Sequence, residues 1–202
     1  MTQVTPTNEK HQARMRKKKQ IMDAKIAHAV QERGVLILLK GNGKGKSSSA
    51  FGMLARTLGH GMRAGVVQFI KGRTETGEHL FFKRHPQVDW HLMGQGFTWE
   101  TQDRAQDIQA AQAAWIVAHK MLANPDYHLL IFDEMSYMYK FGYLDVAPLV
   151  QALEQRPVHQ HVVITGRTMA TPLQAIADTI SRVEDERHAF RLGVKAQPGI
   201  EF

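Results

Sequence analysis

"LILLKGNGKGKSSSAFG", residues 36–52, sets an apolar run directly ahead of Lys40–Ser47, a segment holding three glycines and three lysines. Val35–Leu39 is short and continuously apolar, as expected of a strand covered on both faces in a parallel sheet. Ser47–Leu58 reads as a helix, stopped by Gly59 and Gly61. Strand, Gly41-Asn42-Gly43-Lys44-Gly45-Lys46-Ser47 and helix, in that order, form a P-loop. Glycines let the backbone bend around a polyphosphate with its N–H groups turned inward, and the helix start adds partial positive charge. Lys46 is placed to reach phosphate oxygens and the Ser47 hydroxyl to bind Mg²⁺, with Ser48 beside it. The strict pattern opens on a glycine six residues before the lysine, where this chain has Lys40.

Outward from the loop, strand and helix signals alternate. Strands are expected at Ala64–Ile70, Val88–Met93, His128–Phe132 and His161–Thr165. Helices are expected at Arg104–Leu122, Val146–Glu154 and Pro172–Ile180, the last with proline in its first turn. Crossover helices between strands imply a mostly parallel α/β sheet of P-loop NTPase type, flanked by helices. Residues 1–10 hold Pro6 and no apolar period, and read as disordered. Residues 13–33 read as an amphipathic helix with a narrow apolar stripe, closed by Gly34. The division is a flexible basic arm and helix at 1–33 and one α/β domain at 34–202.

A parallel sheet collects its strand C-termini on one edge, where ligands bind. Three further segments reach it. His128–Glu134 is an apolar strand ending in two carboxylates, the form of a Walker B segment; Glu134 is the candidate metal ligand beside Ser47, with Asp133 the alternative. Thr165-Gly166-Arg167 ends the fifth strand, and Arg167 is either a phosphate or ribose contact or a plain surface arginine. Gly94–Thr101 follows the third strand, and its Phe97 and Trp99 either pack beneath the loop or form a platform for a large flat ligand.

The chain of 202 residues carries a net charge of +7. Six basic residues, Lys10, Arg14, Arg16, Lys17, Lys18 and Lys19, lie within ten positions; removing them from the total of 26 leaves 20 against 19 acidic residues. The body is therefore nearly neutral, which argues against a nucleic-acid-binding face. The arm is either a solvated tail or a contact for an anionic ligand. No apolar run is long enough to span a bilayer, and no secretory signal is visible, so a cytoplasmic protein without membrane contact is expected. The absence of cysteine excludes disulfides and thiolate chemistry. The histidines show no metal-binding spacing, and Ser47-Ser48-Ser49 lacks a nucleophile-elbow context.

Taken together, "GNGKGKSSSAFG", "GVVQFIKG", "GFTWET", "FDEMSYM", "VVITGR" and "HAFRLGVKAQPGIEF" resemble, in order and from about residue 10 onward, the corrinoid adenosyltransferases of the CobA/BtuR/CobO type. The resemblance implies a RecA-like homodimer that transfers the 5′-deoxyadenosyl group of ATP to Co(I) of a corrinoid and releases triphosphate, a step of coenzyme B12 biosynthesis or salvage. It implies Mg²⁺ or Mn²⁺, an electron donor such as a reduced flavoprotein, and an N-terminal helix that covers the site. ATP would lie reversed in the loop, with C5′ rather than the γ-phosphate toward the chemistry. By resemblance, Lys46 would act on the leaving group, and Phe97 and Trp99 would press on the corrin to displace its axial ligand and ease reduction. Lys40, and Ser47-Ser48 where relatives commonly carry threonines, are the departures. The alternative from the residues alone is a P-loop phosphotransferase or ATPase of unknown acceptor.

Overall fold

The computed structural model describes residues 6–70, 75–92 and 103–202. They fall into two units, Met1–Glu32 and Arg33–Phe202.

The first unit is helix α1, Pro6–His28. It begins earlier than the sequence suggests, because proline is tolerated in a first turn, where its missing N–H has no partner to lose, and it ends at His28 rather than running on to residue 33 and Gly34. Glu9 lies near its start and Lys25 near its end, each sign matching the helix dipole. Met15, Ile21, Met22 and Ile26 are exposed along it.

The second unit is built on β1 (Leu36–Lys40), β2 (Ala64–Gln68), β3 (Val88–Leu92), β4 (Leu129–Asp133), β5 (His161–Gly166) and β6 (Thr179–Arg182), in the order β3-β2-β4-β5-β1-β6. Every pairing is parallel, so each connection must cross back over a face of the sheet. Helix α2 (Lys46–Gly59) and the short α3 (Gly77–Phe82) cover one face. The other is covered by α4 (Arg104–Ala123), α5 (Ser136–Lys140), α6 (Ala147–Glu154) and α7 (Thr171–Ile176).

The two-residue period of a strand sorts the core between these layers. Leu130 and Phe132 join the four-helix side, while Leu129 and Ile131 pack toward α2. All five residues of β2 and of β4 are buried, and each strand is apolar up to a polar last residue, Gln68 or Asp133. On the α2 side, Phe51, Phe82 and Trp90 form an aromatic cluster. The Phe51 and Trp90 rings are 5.1 Å apart, and Phe82 stacks on Trp90 at 6.4 Å with planes 12° apart.

The C-terminal part departs from expectation. The last helix ends at Ile176, not Ile180, and the chain turns into a sixth strand. Asp178 drives the change: its N–H donates to Leu36 O at 3.0 Å, and its carboxylate accepts from Leu36 N at 2.8 Å and from Arg33. These bonds to β1 replace those a continued helix would make. Helices α3 and α5, of six and five residues, are too short for a helical period to reveal.

Candidate functional site

The C-terminal ends of β1, β2, β4 and β5 bring Lys40, Gln68, Asp133 and Gly166 to one sheet edge, Gln68 directly opposite Asp133 and Lys40 opposite Gly166. The loop after β1 lies there. Lys40 turns away from it and donates to Gln174 Oε1 of α7 at 2.5 Å. The position that must be glycine is the next one. Gly41 has φ 115°, and a Cβ there would lie 2.2 Å from Val183 O. The departure at Lys40 thus leaves the loop's geometry intact.

Gly41 N donates to Arg167 O at 3.1 Å and Gly43 N to Val183 O at 2.8 Å. Both amides serve to hold the loop against its neighbours. Asn42 is exposed at the loop's crest. The anion-facing part is the remainder, Lys44 to Ser48, which lines a cavity of about 230 Å³. Gly45, at φ 115°, enters α2 without any side-chain cap, so the first-turn amides of Lys46, Ser47 and Ser48 lack carbonyl partners within their own helix. An uncapped helix start beside lysines suits a polyphosphate. Lys46 is buried and its ammonium donates to Gly43 O at 2.7 Å, which keeps the charge at the loop.

The floor of the cavity is polar. Ser47 Oγ donates to Asp133 Oδ1 at 2.7 Å, as does Thr165 Oγ1, also at 2.7 Å. Gln68 Nε2 donates to Asp133 Oδ2 at 3.0 Å. Glu134 follows in the left-handed region at φ 55°, its N–H donating to Thr165 Oγ1 at 2.9 Å. Its Oε2 is buried and has no hydrogen-bond partner among the described residues. Burial, and then the charge of Asp133, push the Glu134 carboxyl up to about 7, against the opposing pull of Lys46 and Arg167. Arg167 is exposed, yet it acts on Glu134 and Tyr137.

The structure therefore brings Lys44, Gly45, Lys46, Ser47, Ser48, Glu134 and Arg167 to one edge. Phe97 and Trp99 lie outside the described residues. Asp133, not Glu134, bonds directly to Ser47. Sequence reasoning set Thr165 at the ligand edge without a role, and it missed Gln68 and the wall formed by Ile200 and Glu201, where Lys44 Nζ meets Glu201 Oε2 at 2.6 Å. A polar residue inside the apolar stretch Ala64–Ile70 was the available signal for Gln68; its register with Asp133 comes from the structure.

Comparison with known proteins bears on this site. The family described as "ATP:corrinoid adenosyltransferase BtuR/CobO/CobP" matches residues 32–202, and "Cob(I)alamin adenosyltransferase N terminal" matches residues 1–26. A protein named "Corrinoid adenosyltransferase" from Pseudomonas aeruginosa is 52% identical over the full length of both chains. "Corrinoid adenosyltransferase CobA" of Salmonella typhimurium is 44% identical, covering 97% of this chain and all of its own. The "Corrinoid adenosyltransferase" of Escherichia coli K12 is 43% identical with the same coverage.

Proposed function

Because the chain belongs to the BtuR/CobO/CobP family of ATP:corrinoid adenosyltransferases, we propose that the cavity over α2 grips the triphosphate of ATP and presents C5′ to the cobalt of a reduced corrinoid. The Co(I) lone pair attacks C5′, a cobalt–carbon bond forms, the C5′–O bond breaks, and its electron pair leaves on triphosphate. The observation that carries this reading is the uncapped start of α2 beside Lys44 and Lys46, over a floor where Ser47 is held by Asp133.

The nucleophile is the substrate's own cobalt, so no side chain has to be deprotonated to attack. The protein's tasks are to neutralise the leaving group, hold C5′ in line and keep water out. Lys46 and the first-turn amides of α2 address the first task, with the Arg167 charge acting beside Glu134.

The residues present fit a hard divalent cation. All the nearby ligand atoms are oxygens, and Glu134 Oε2 is a buried acceptor with no hydrogen-bond partner among the described residues. Ser47 Oγ and Glu134 would hold Mg²⁺ or Mn²⁺, with Asp133 orienting the serine hydroxyl; one or two protein ligands plus phosphate oxygens is the usual environment for such an ion. When bound, the ion offsets charge on the phosphate oxygens.

Phe97 and Trp99 are proposed to contact the corrin, ATP to lie reversed in the loop, and a reduced flavoprotein to supply electrons to a homodimer in the cytoplasm. No helix among the described residues is long and apolar enough to cross a membrane. The test is to mix purified protein, MgATP and chemically reduced cob(I)alamin. A light-sensitive alkyl-cobalt absorbance with stoichiometric triphosphate is expected. Orthophosphate or ADP as product would overturn the reading in favour of a phosphotransferase or ATPase.

A further inference from the structure

An unbroken run of polar side chains leads from the phosphate cavity to the edge strand β3. Asp133 Oδ1 accepts from Ser47 and Thr165, and Oδ2 accepts from Gln68 Nε2. Gln68 Oε1 in turn accepts from Trp90 Nε1 at 3.1 Å. The direction of every bond is forced. An indole N–H can only donate and a carboxylate can only accept, so one orientation of the Gln68 amide satisfies both neighbours. The flipped amide would set N–H against N–H and oxygen against oxygen. Trp90 is held by its contacts with Phe51 and Phe82.

Gln68 is 8% exposed, with Val66 and Trp90 beside it in the α2-side layer. Burying an amide there costs desolvation that an apolar side chain would avoid. The return for that cost lies in what the amide holds.

We propose that Gln68 is a positioning residue for the cation end of the site: it fixes the Asp133 carboxylate so that Oδ1 stays on the Ser47 hydroxyl, and Trp90 fixes Gln68. The proposal rests on the reading that Ser47 and Glu134 hold the divalent ion of the nucleotide complex. Groups that orient a metal ligand from behind change metal affinity about 10- to 100-fold when removed. Trp90 is two residues before the end of β3, and Phe97 follows that end by five residues in sequence. The strand that secures the cation end therefore leads directly into the segment assigned to the corrin.

The test is a titration of Mn²⁺ into wild type, Gln68→Leu, Trp90→Phe and the double variant, each with ATP, following free Mn²⁺ by electron paramagnetic resonance. Half-saturation should rise about 10- to 100-fold in Gln68→Leu and by a smaller factor in Trp90→Phe, which keeps the ring stack but removes the N–H. The double variant should be no weaker than Gln68→Leu alone, because Trp90 acts only through Gln68. ATP binding in EDTA should stay within about 2-fold of wild type, which a general loss of structure would not allow. Unchanged Mn²⁺ half-saturation in Gln68→Leu, or a full additional penalty in the double variant, overturns the proposal. Should Gln68→Leu not fold, Trp90→Phe decides alone: an unchanged half-saturation there is the negative result. Wild-type protein that binds Mn²⁺ with ATP but forms no adenosylcorrinoid would sink the assigned reaction and leave this proposal standing.

Discussion

Gly166 ends β5 between Thr165, which holds Asp133, and Arg167, and its backbone lies against the start of α5. A Cβ built at Gly166 would stand 1.9 Å from Ser136 Oγ, 2.4 Å from Ser136 Cβ and 3.3 Å from Ser136 N. Rotating the serine removes only the first overlap, so Gly166→Ala must move the backbone of α5 or β5 by roughly 1 Å. Overpacking a closed site costs about 1–3 kcal/mol, and with the Cβ–Cβ overlap unrelieved the upper end, about 3 kcal/mol, is expected. That corresponds to roughly 6–12 °C in Tm for a chain of this size. Ser136→Gly removes both overlapping atoms and leaves the nitrogen at a distance a neighbour can absorb. In that background the cost of Gly166→Ala should fall by about 2 kcal/mol, the coupling between the two sites, and what remains is the strain of a side chain at φ 157°. Urea denaturation of the four proteins measures it. An equal cost of Gly166→Ala in both backgrounds would refute the steric argument and point to the backbone conformation at residue 166 instead.

Lys46→Ala should weaken ATP binding about 10- to 100-fold, the loss of one charge-assisted contact; calorimetry giving wild-type affinity would contradict the role assigned to Lys46. In metal-free buffer, Glu134→Gln should gain stability over wild type as pH rises. The folded-state pKa of Glu134 is raised to about 7, so the wild type loses stability between the unfolded value and about pH 7 while the amide does not. The difference between pH 5 and pH 8 should be about 2 kcal/mol, and a flat difference across that range would remove burial as the cause. Phe97→Ala with Trp99→Ala should retain ATP binding yet lose most adenosylation of Co(II) corrinoid under a mild reductant, as followed by cobalt–carbon absorbance; full activity would refute their role.

Much of the site was legible in the sequence because its signals are local. A glycine-lysine-serine turn between a strand and a helix is contained in eight residues, and the carboxylates of Asp133 and Glu134 adjoin the apolar run that carries them. Even the exception at Lys40 was visible as a departure, although only the structure explains it: the lysine side chain is drawn to Gln174, and Gly41 meets the steric demand against Val183. The same locality hid β6. Thr179–Arg182 is four residues long with every residue exposed, without the apolar alternation that marks a strand, and it continues a helical stretch that Asp178 interrupts through bonds to Leu36 and Arg33.

From the amino-acid order alone came the alternating α/β architecture and the phosphate loop, since each depends on neighbouring residues and on periods of two or 3.6, together with the motifs that carry the family resemblance. Tertiary structure alone decided that Asp133 rather than Glu134 bonds to Ser47, that Glu134 keeps a buried oxygen without a hydrogen-bond partner among the described residues, and that Gln68 lines the cavity. The bonds of Gln68 reach Trp90 and Asp133, 22 and 65 residues away in sequence. The register of a parallel sheet brings such residues together, and register is settled by packing on both faces of the sheet, which no local pattern encodes.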